Sequence, residues 1–144
     1  MTPEEILQMW NQDAPINKTD LGSDASNIPL LHAKYWKYRI AARRKLSKLR
    51  AGYKVLKYEK KEFLINPTES DVKDRGWDVP DRRIIKSEIT DYLDGDNQLL
   101  QFELKIGEAE LLVDMIEDIL KEIRQRNWII KLVADDRAFM AGER

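Results

Sequence analysis

The stretch LLHAKYWKYRIAARRKLSKLRAGYKVLKYEKKEFL, residues 30–64, decides the architecture. It has no proline and one glycine, Gly52, and its apolar residues Leu31, Tyr35, Tyr38, Ala42, Leu46, Leu49, Tyr53, Leu56 and Phe63 recur mostly at steps of three and four. Such steps align side chains on one side of a helix. Two consecutive steps of four around Ala42 form a stutter, which locally unwinds any coiled-coil seam. A helix over 29–64 would rise about 54 Å, whereas a compact chain of 144 residues has a diameter below about 40 Å. The helix overhangs a single globule, so either it bends back at Gly52 or neighbouring subunits cover it.

The same stretch concentrates charge. Residues 34–62 carry twelve Lys or Arg against Glu59 and Glu62, a balance of +10, while residues 1–33 sum to -4 and residues 63–144 to -7. The whole-chain net charge of -1 therefore hides a basic segment between two acidic flanks, an electrostatic footprint of the kind that meets polyanions.

Outward from this helix the chain reads as one all-α domain over 1–144, with N-terminal helices over 1–65, an exposed loop over 66–81 and C-terminal helices over 82–144. Thr2-Pro3-Glu4-Glu5 combines an N-cap, proline at N1 and Glu at N3, predicting a short helix to about Gln12 with Ile6, Leu7, Met9 and Trp10 on its face. Residues 13–29 are rich in turn formers, and the long helix is expected to start near Ser26 to Pro29. Asn66-Pro67 stops it. Arg82 to Leu93 predicts a further helix ended by Asp94-Gly95, with Asp96 capping the next. Leu100, Phe102, Leu104 and Ile106 alternate as in a strand, but Ala109, Leu112, Ile116, Ile119 and Ile123 continue with helical spacing, and one helix over 97–126 is preferred. Asn127 is expected to break it before a last helix from Trp128 to Met140.

Several chemistries are excluded. There is no cysteine and a single histidine, His32, so disulfides, Cys-ligated zinc and His-rich metal sites are absent. No pair of glycines has the spacing of a phosphate-cradling loop. Asp91, Asp94 and Asp96 around Gly95 lack calcium-loop spacing and read as a turn plus an N-cap. No nucleophile signature accompanies His32. Catalytic residues, metal ligands and cofactors are therefore not expected, and neither is a membrane span or secretion, since no apolar run approaches the required length and the N-terminal residues do not resemble a leader.

The basic helix is the informative feature. A solvated helix face usually interleaves both signs for i,i+4 pairing, whereas here two acids interrupt twelve cations. Aromatic residues lie among the charges: Tyr35, Tyr38 and Tyr53 are assigned to packing, Trp36 and Tyr58 to stacking on bases. Nucleic acid is the favoured partner, with Lys34, Lys37, Arg39, Arg43, Arg44, Lys54, Lys57, Tyr58, Lys60 and Lys61 as candidate contacts. An acidic protein segment, including another subunit's, is the second reading and a membrane surface the third. Ile119, Ile123, Trp128, Ile129, Ile130, Leu132, Val133, Phe139 and Met140 carry more apolar surface than two helices readily cover, which points to self-association.

The closing segment Arg126-Asn-Trp-Ile-Ile-Lys-Leu-Val-Ala-Asp-Asp-Arg-Ala-Phe-Met-Ala-Gly142 resembles the C-terminus of the UvsY family, recombination mediators of T-even-like bacteriophages. Leu31-His-Ala-Lys-Tyr-Trp36, Leu56-Lys57 and Lys86-Ser-Glu88 follow the family's order, so the resemblance covers most of the chain from about Asp13. The family's Leu-Lys-Ala-Arg-Leu-x-Tyr DNA-binding motif falls within Leu56 to Phe63 in either of two registers. Started at Leu56, its lysine is Lys57 and its arginine falls on Glu59. Started one residue later, Tyr58 replaces the lysine, Lys60 takes the arginine and Phe63 the tyrosine. The resemblance implies a non-enzymatic ring-like homo-oligomer joined through its C-terminal region. It further implies binding of single-stranded DNA in the cytoplasm of an infected bacterium, and help to a RecA-like phage recombinase in displacing the phage single-strand-binding protein.

Overall fold

The computed structural model describes residues 1–142. Five helices follow in order: α1 (Pro3–Asp13), α2 (Leu21–Ile65), α3 (Glu69–Arg75), α4 (Lys86–Asp94) and α5 (Asn97–Met140). No strand occurs among the described residues, so the alternating run from Leu100 to Ile106 is helical. The chain divides into two compact units, one of Met1–Arg44 with Glu108–Arg144 and one of Lys45–Gly107. Helices α2 and α5 contribute to both, with no interruption at Gly52 or Gly107.

In the first unit, α1 starts as its capping box requires: the Thr2 hydroxyl accepts from the Glu5 amide and the Glu5 carboxylate from the Thr2 amide. Ile6 is fully buried and Trp10 packs edge-on against Tyr35, while Leu7, expected on the apolar face, is half exposed. Helix α2 begins at Leu21, earlier than Ser26 to Pro29. Asp20 is the reason, because its carboxylate accepts from the Ser23 amide at 3.1 Å and caps the first turn. Pro29 then lies inside the helix, where it withdraws one amide without ending the element.

Helix α5 presents Leu112, Ile116, Ile119, Ile123 and Ile130 to the interior at steps of three, four and seven, all buried. Full burial of such a side chain stabilises by about 1.5–3 kcal/mol. Arg126 falls on the same stripe and is also buried. Its guanidinium donates to the carbonyls of Ala14 (2.8 Å) and Pro15 (3.1 Å) and lies 3.9 Å from Asp24, which clasps the 14–20 connection to α5. Asn127 does not break the helix. Its propensity costs under about 1 kcal/mol relative to alanine, less than burial of Ile130 beyond it returns.

In the second unit Ile84, Ile89, Leu93 and Leu99 form the core, with Tyr53, Leu56 and Leu64 of α2 packed against it. Gly52 lets α2 approach α5 closely, since a Cβ there would stand 3.2 Å from the Phe102 ring. The 66–81 connection, expected as an exposed loop, contains α3. Thr68 caps it by accepting from the Asp71 amide, and Gly76 ends it with φ 67°, a left-handed conformation suited to glycine. Arg75 pairs with Glu59 and lies 4.7 Å from the centre of the Trp77 ring, which is buried edge-on against Phe63 and donates from Nε1 to Gln98 at 3.0 Å. Helix α4 starts at Lys86, four residues later than expected, with no side-chain cap. Asp96 caps α5 as expected, accepting from the Leu99 amide at 3.0 Å, and the Asp91 to Asp96 region is a helix end followed by that cap.

Candidate nucleic-acid interface

The candidate contacts all lie on α2, and each unit sets its share in a different environment. In the first unit, Lys34 Nζ lies 2.6 Å from the Asp13 carboxylate, which also accepts from the buried Tyr35 hydroxyl at 2.8 Å. Burial opposes ionisation of Asp13, but the Lys34 and Tyr35 donors outweigh it and hold the carboxyl below its usual range. Burial and the bond to Asp13 push the Tyr35 phenol well above its ordinary range, so it stays a proton donor.

Arg39 binds Glu117 through Nε and NH2, each at 3.2 Å, and Arg43 reaches the same carboxylate at 3.9 Å. Lys37 and Arg44 are exposed and hold no ion pair among the described residues. Trp36 stacks on His32 and carries the Arg39 guanidinium 4.8 Å from its ring centre. These neighbours take part of its ring, and Trp36 remains 41% exposed.

In the second unit Lys54, Lys57 and Lys61 stand at i, i+3 and i+7, so they form one exposed stripe. None pairs with a carboxylate among the described residues; Lys57 leans over the Tyr53 ring at 5.7 Å. The Tyr53 hydroxyl donates to Glu103 at 2.7 Å, and that bond, with partial burial, raises its phenol above the ordinary range. Tyr58 beside the stripe is 64% exposed, which leaves its ring available to a base.

Lys60 is different from the others expected to meet DNA. It is 8% exposed, and its ammonium lies 2.6 Å from Asp96 and 4.9 Å from the Trp77 ring centre. The structure therefore takes it out of the exposed set. Its partner is visible in the sequence as a helix cap, but the lysine's facing is not, because Lys60 and Lys61 differ only in helical phase.

The apolar C-terminal set also divides. Ile119, Ile123 and Ile130 are core residues of the first unit and are not free for a subunit contact, and Val133 is half-buried. Trp128, Ile129, Leu132, Phe139 and Met140 are at the surface, with Phe139 and Met140 each 77% exposed. No helix of the described residues is long and apolar enough to cross a membrane.

Residues 9–143 match the family described as recombination, repair and ssDNA binding protein UvsY. The recombination protein uvsY of Enterobacteria phage T4 is 24% identical over 143 residues, covering 99% of this chain and all of the relative. Two crystal structures of the bacteriophage T4 recombination mediator protein UvsY share the fold. One has a TM-score of 0.82 at 23% identity and covers 98% of both chains. Another crystal form has a TM-score of 0.83 at 22% identity, covering 96% of this chain and 99% of the other. A family match that leaves out little more than the first eight residues is enough to place the whole helical chain: it belongs to the UvsY family of recombination, repair and ssDNA-binding proteins.

Proposed function

We propose that this protein is a recombination mediator: it binds single-stranded DNA through α2 and helps a RecA-like phage recombinase load in place of the phage single-strand-binding protein. The observation that carries the reading is the stripe of Lys54, Lys57 and Lys61, exposed and holding no ion pair among the described residues, beside the exposed Tyr58. Lysine contacts with phosphates release counterions and bind without regard to sequence, while an aromatic ring accepts any base. No step of this work requires bond chemistry from the protein.

Self-association into a ring-like homo-oligomer completes the proposal. The support is the exposed apolar surface of Trp128, Leu132, Phe139 and Met140. Repeating a weak contact set on each subunit converts later contacts into intramolecular ones and multiplies affinity. Such an assembly would act in the cytoplasm of the infected cell, where DNA, recombinase and single-strand-binding protein meet.

A specific observation also favours a second reading, a scaffold oligomer whose basic helix docks an acidic protein segment: Arg39 and Arg43 already pair with the Glu117 carboxylate. The two readings part in one experiment. Titrate single-stranded DNA at several salt concentrations, with sedimentation velocity on the same sample. About three phosphates neutralised per subunit give a slope near -2.1, and affinity then falls roughly 20-fold between about 50 and 200 mM salt. W128S and F139S should lower the mass and weaken DNA binding through reduced multivalency, with the fold retained. Salt-insensitive binding, or no binding by the assembled protein, sinks the mediator reading and leaves the scaffold.

A further inference from the structure

The end of α2 and one side of α4, from Lys86 to Leu93, line an open groove of about 570 Å³ in the second unit. Lys57 and Lys61 of α2 and Lys86 of α4 line it, with the exposed Ile65 as its accessible apolar residue above the core residues Ile89 and Leu93. All three lysines are exposed, and none forms an ion pair among the described residues. Glu62 also lines the groove, yet it holds no ion pair with them. With Glu62 counted against the three lysines the lining keeps a net charge of +2, which an anion entering there offsets. The apolar surface beside them is accessible, since Ile65 is 50% exposed. Thr90 adds a hydroxyl that both donates and accepts.

Cationic and apolar lining together fit a polymer that alternates phosphate with a flat apolar face. The volume lies within the range of about 300–1,000 Å³ typical of sites for compact ligands, sufficient for one nucleotide. We propose that Lys86 and this groove extend the DNA-binding surface from α2 onto α4. In this arrangement backbone phosphates meet Lys57, Lys61 and Lys86 while one base lies against Ile65. The inference rests on the single-stranded DNA reading above and adds a residue outside the basic helix, on an element that the charge count of 34–62 leaves out.

The test uses the full-length protein and a mixed-sequence single-stranded oligonucleotide, with K86A, I65A and the double variant K57A/K61A. K73A is the control, since Lys73 is an exposed lysine of the same unit, unpaired among the described residues, that does not line the groove. K86A should weaken binding roughly fourfold at about 0.15 M salt and make the slope shallower by about 0.7, the value for one phosphate contact. I65A should weaken binding without changing the slope, because it removes base contact and no charge. K73A should leave the slope unchanged. If K57A/K61A lowers the slope while K86A behaves as K73A does, the groove is refuted and the α2 reading survives. If the unaltered protein fails to bind DNA, both fall. Poly-glutamate supplies the remaining arm: if it binds as tightly as DNA and loses as much from K86A, the groove is a general acidic-segment site and the nucleotide assignment is overturned.

Discussion

The basic residues of α2 before and after Arg44 are similarly dense in charge, but the two sets face different neighbours. Before that point Lys34 faces Asp13, and Arg39 and Arg43 share Glu117. Beyond it Lys60 faces Asp96, while Lys54, Lys57 and Lys61 face solvent. The cause lies in what α5 and the connections bring to each unit. In the first, Glu117 meets two guanidiniums; in the second, Glu103 is occupied by the Tyr53 phenol. A guanidinium held by a carboxylate must share or release it before a phosphate can bind, so its contribution to DNA binding is smaller than its formal charge suggests. Charge density along a helix is thus a poor measure of charge available to a ligand.

The largest effect separates structural from available cations within the second unit. Lys60 and Asp96 form a pair whose side chains are only 10% and 22% exposed. K60A leaves the Asp96 carboxylate partly buried with only its capping role, at a cost of roughly 2–3 kcal/mol, below the full value for a wholly buried pair. Urea denaturation should show this loss, and K60A/D96N should recover part of it. The folded K60A protein should keep the unaltered salt slope for DNA. A slope shallower by about 0.7 would instead make Lys60 a phosphate contact and erase its difference from Lys57 and Lys61.

K57A/K61A should do the reverse. Removing two exposed, unpaired lysines of the proposed interface should weaken binding roughly 15-fold at about 0.15 M salt and make the slope shallower by about 1.4. Stability should change by less than about 0.5 kcal/mol, as is usual for surface positions. Fluorescence anisotropy of labelled DNA and a denaturation curve check both halves. Unchanged affinity would remove the exposed stripe from the interface.

These distinctions show how far the sequence can be read. Thr2 to Glu5 and Asp96 announce their helix starts because a cap is local: residue type and spacing contain all its geometry. Asp20 is an equally good cap, but Pro29 nine residues later points to a later start. Only the tertiary anchoring of Asp24 and the 14–20 connection by Arg126 shows why the early turns hold. Asn127 misleads for a related reason, since its weak local preference is outweighed by the burial of Ile130 on the next turn. The basic face is legible as charge, whereas its division into paired and free cations depends on Glu117, Asp13 and Asp96, residues far away in sequence. Lys86 stands with Arg82 and Arg83 in the sequence, outside the 34–62 run, and nothing there places it beside Lys57 and Lys61; only the fold brings the three to one groove.

The smallest predicted effect is the most specific, because it asks for a gain. If Arg39 and Arg43 are silent toward DNA because Glu117 occupies them, E117Q should release them at a small structural cost. Glu117 and both arginines are partly solvated, with side-chain exposures of 34%, 23% and 56%, so the pairs contribute no more than about 1 kcal/mol to stability. Freed guanidiniums should raise single-stranded DNA affinity roughly two- to fourfold at about 0.15 M salt and steepen the slope by up to about 0.7, equivalent to one added phosphate contact. Adding R39A and R43A to E117Q should abolish the gain, while R39A/R43A alone should weaken binding far less than K57A/K61A. If E117Q leaves affinity and slope unchanged although the arginines are released, pairing is not what distinguishes the two parts of α2. The DNA path would then avoid the first unit for reasons of position, and the contrast between paired and free cations would no longer explain the interface.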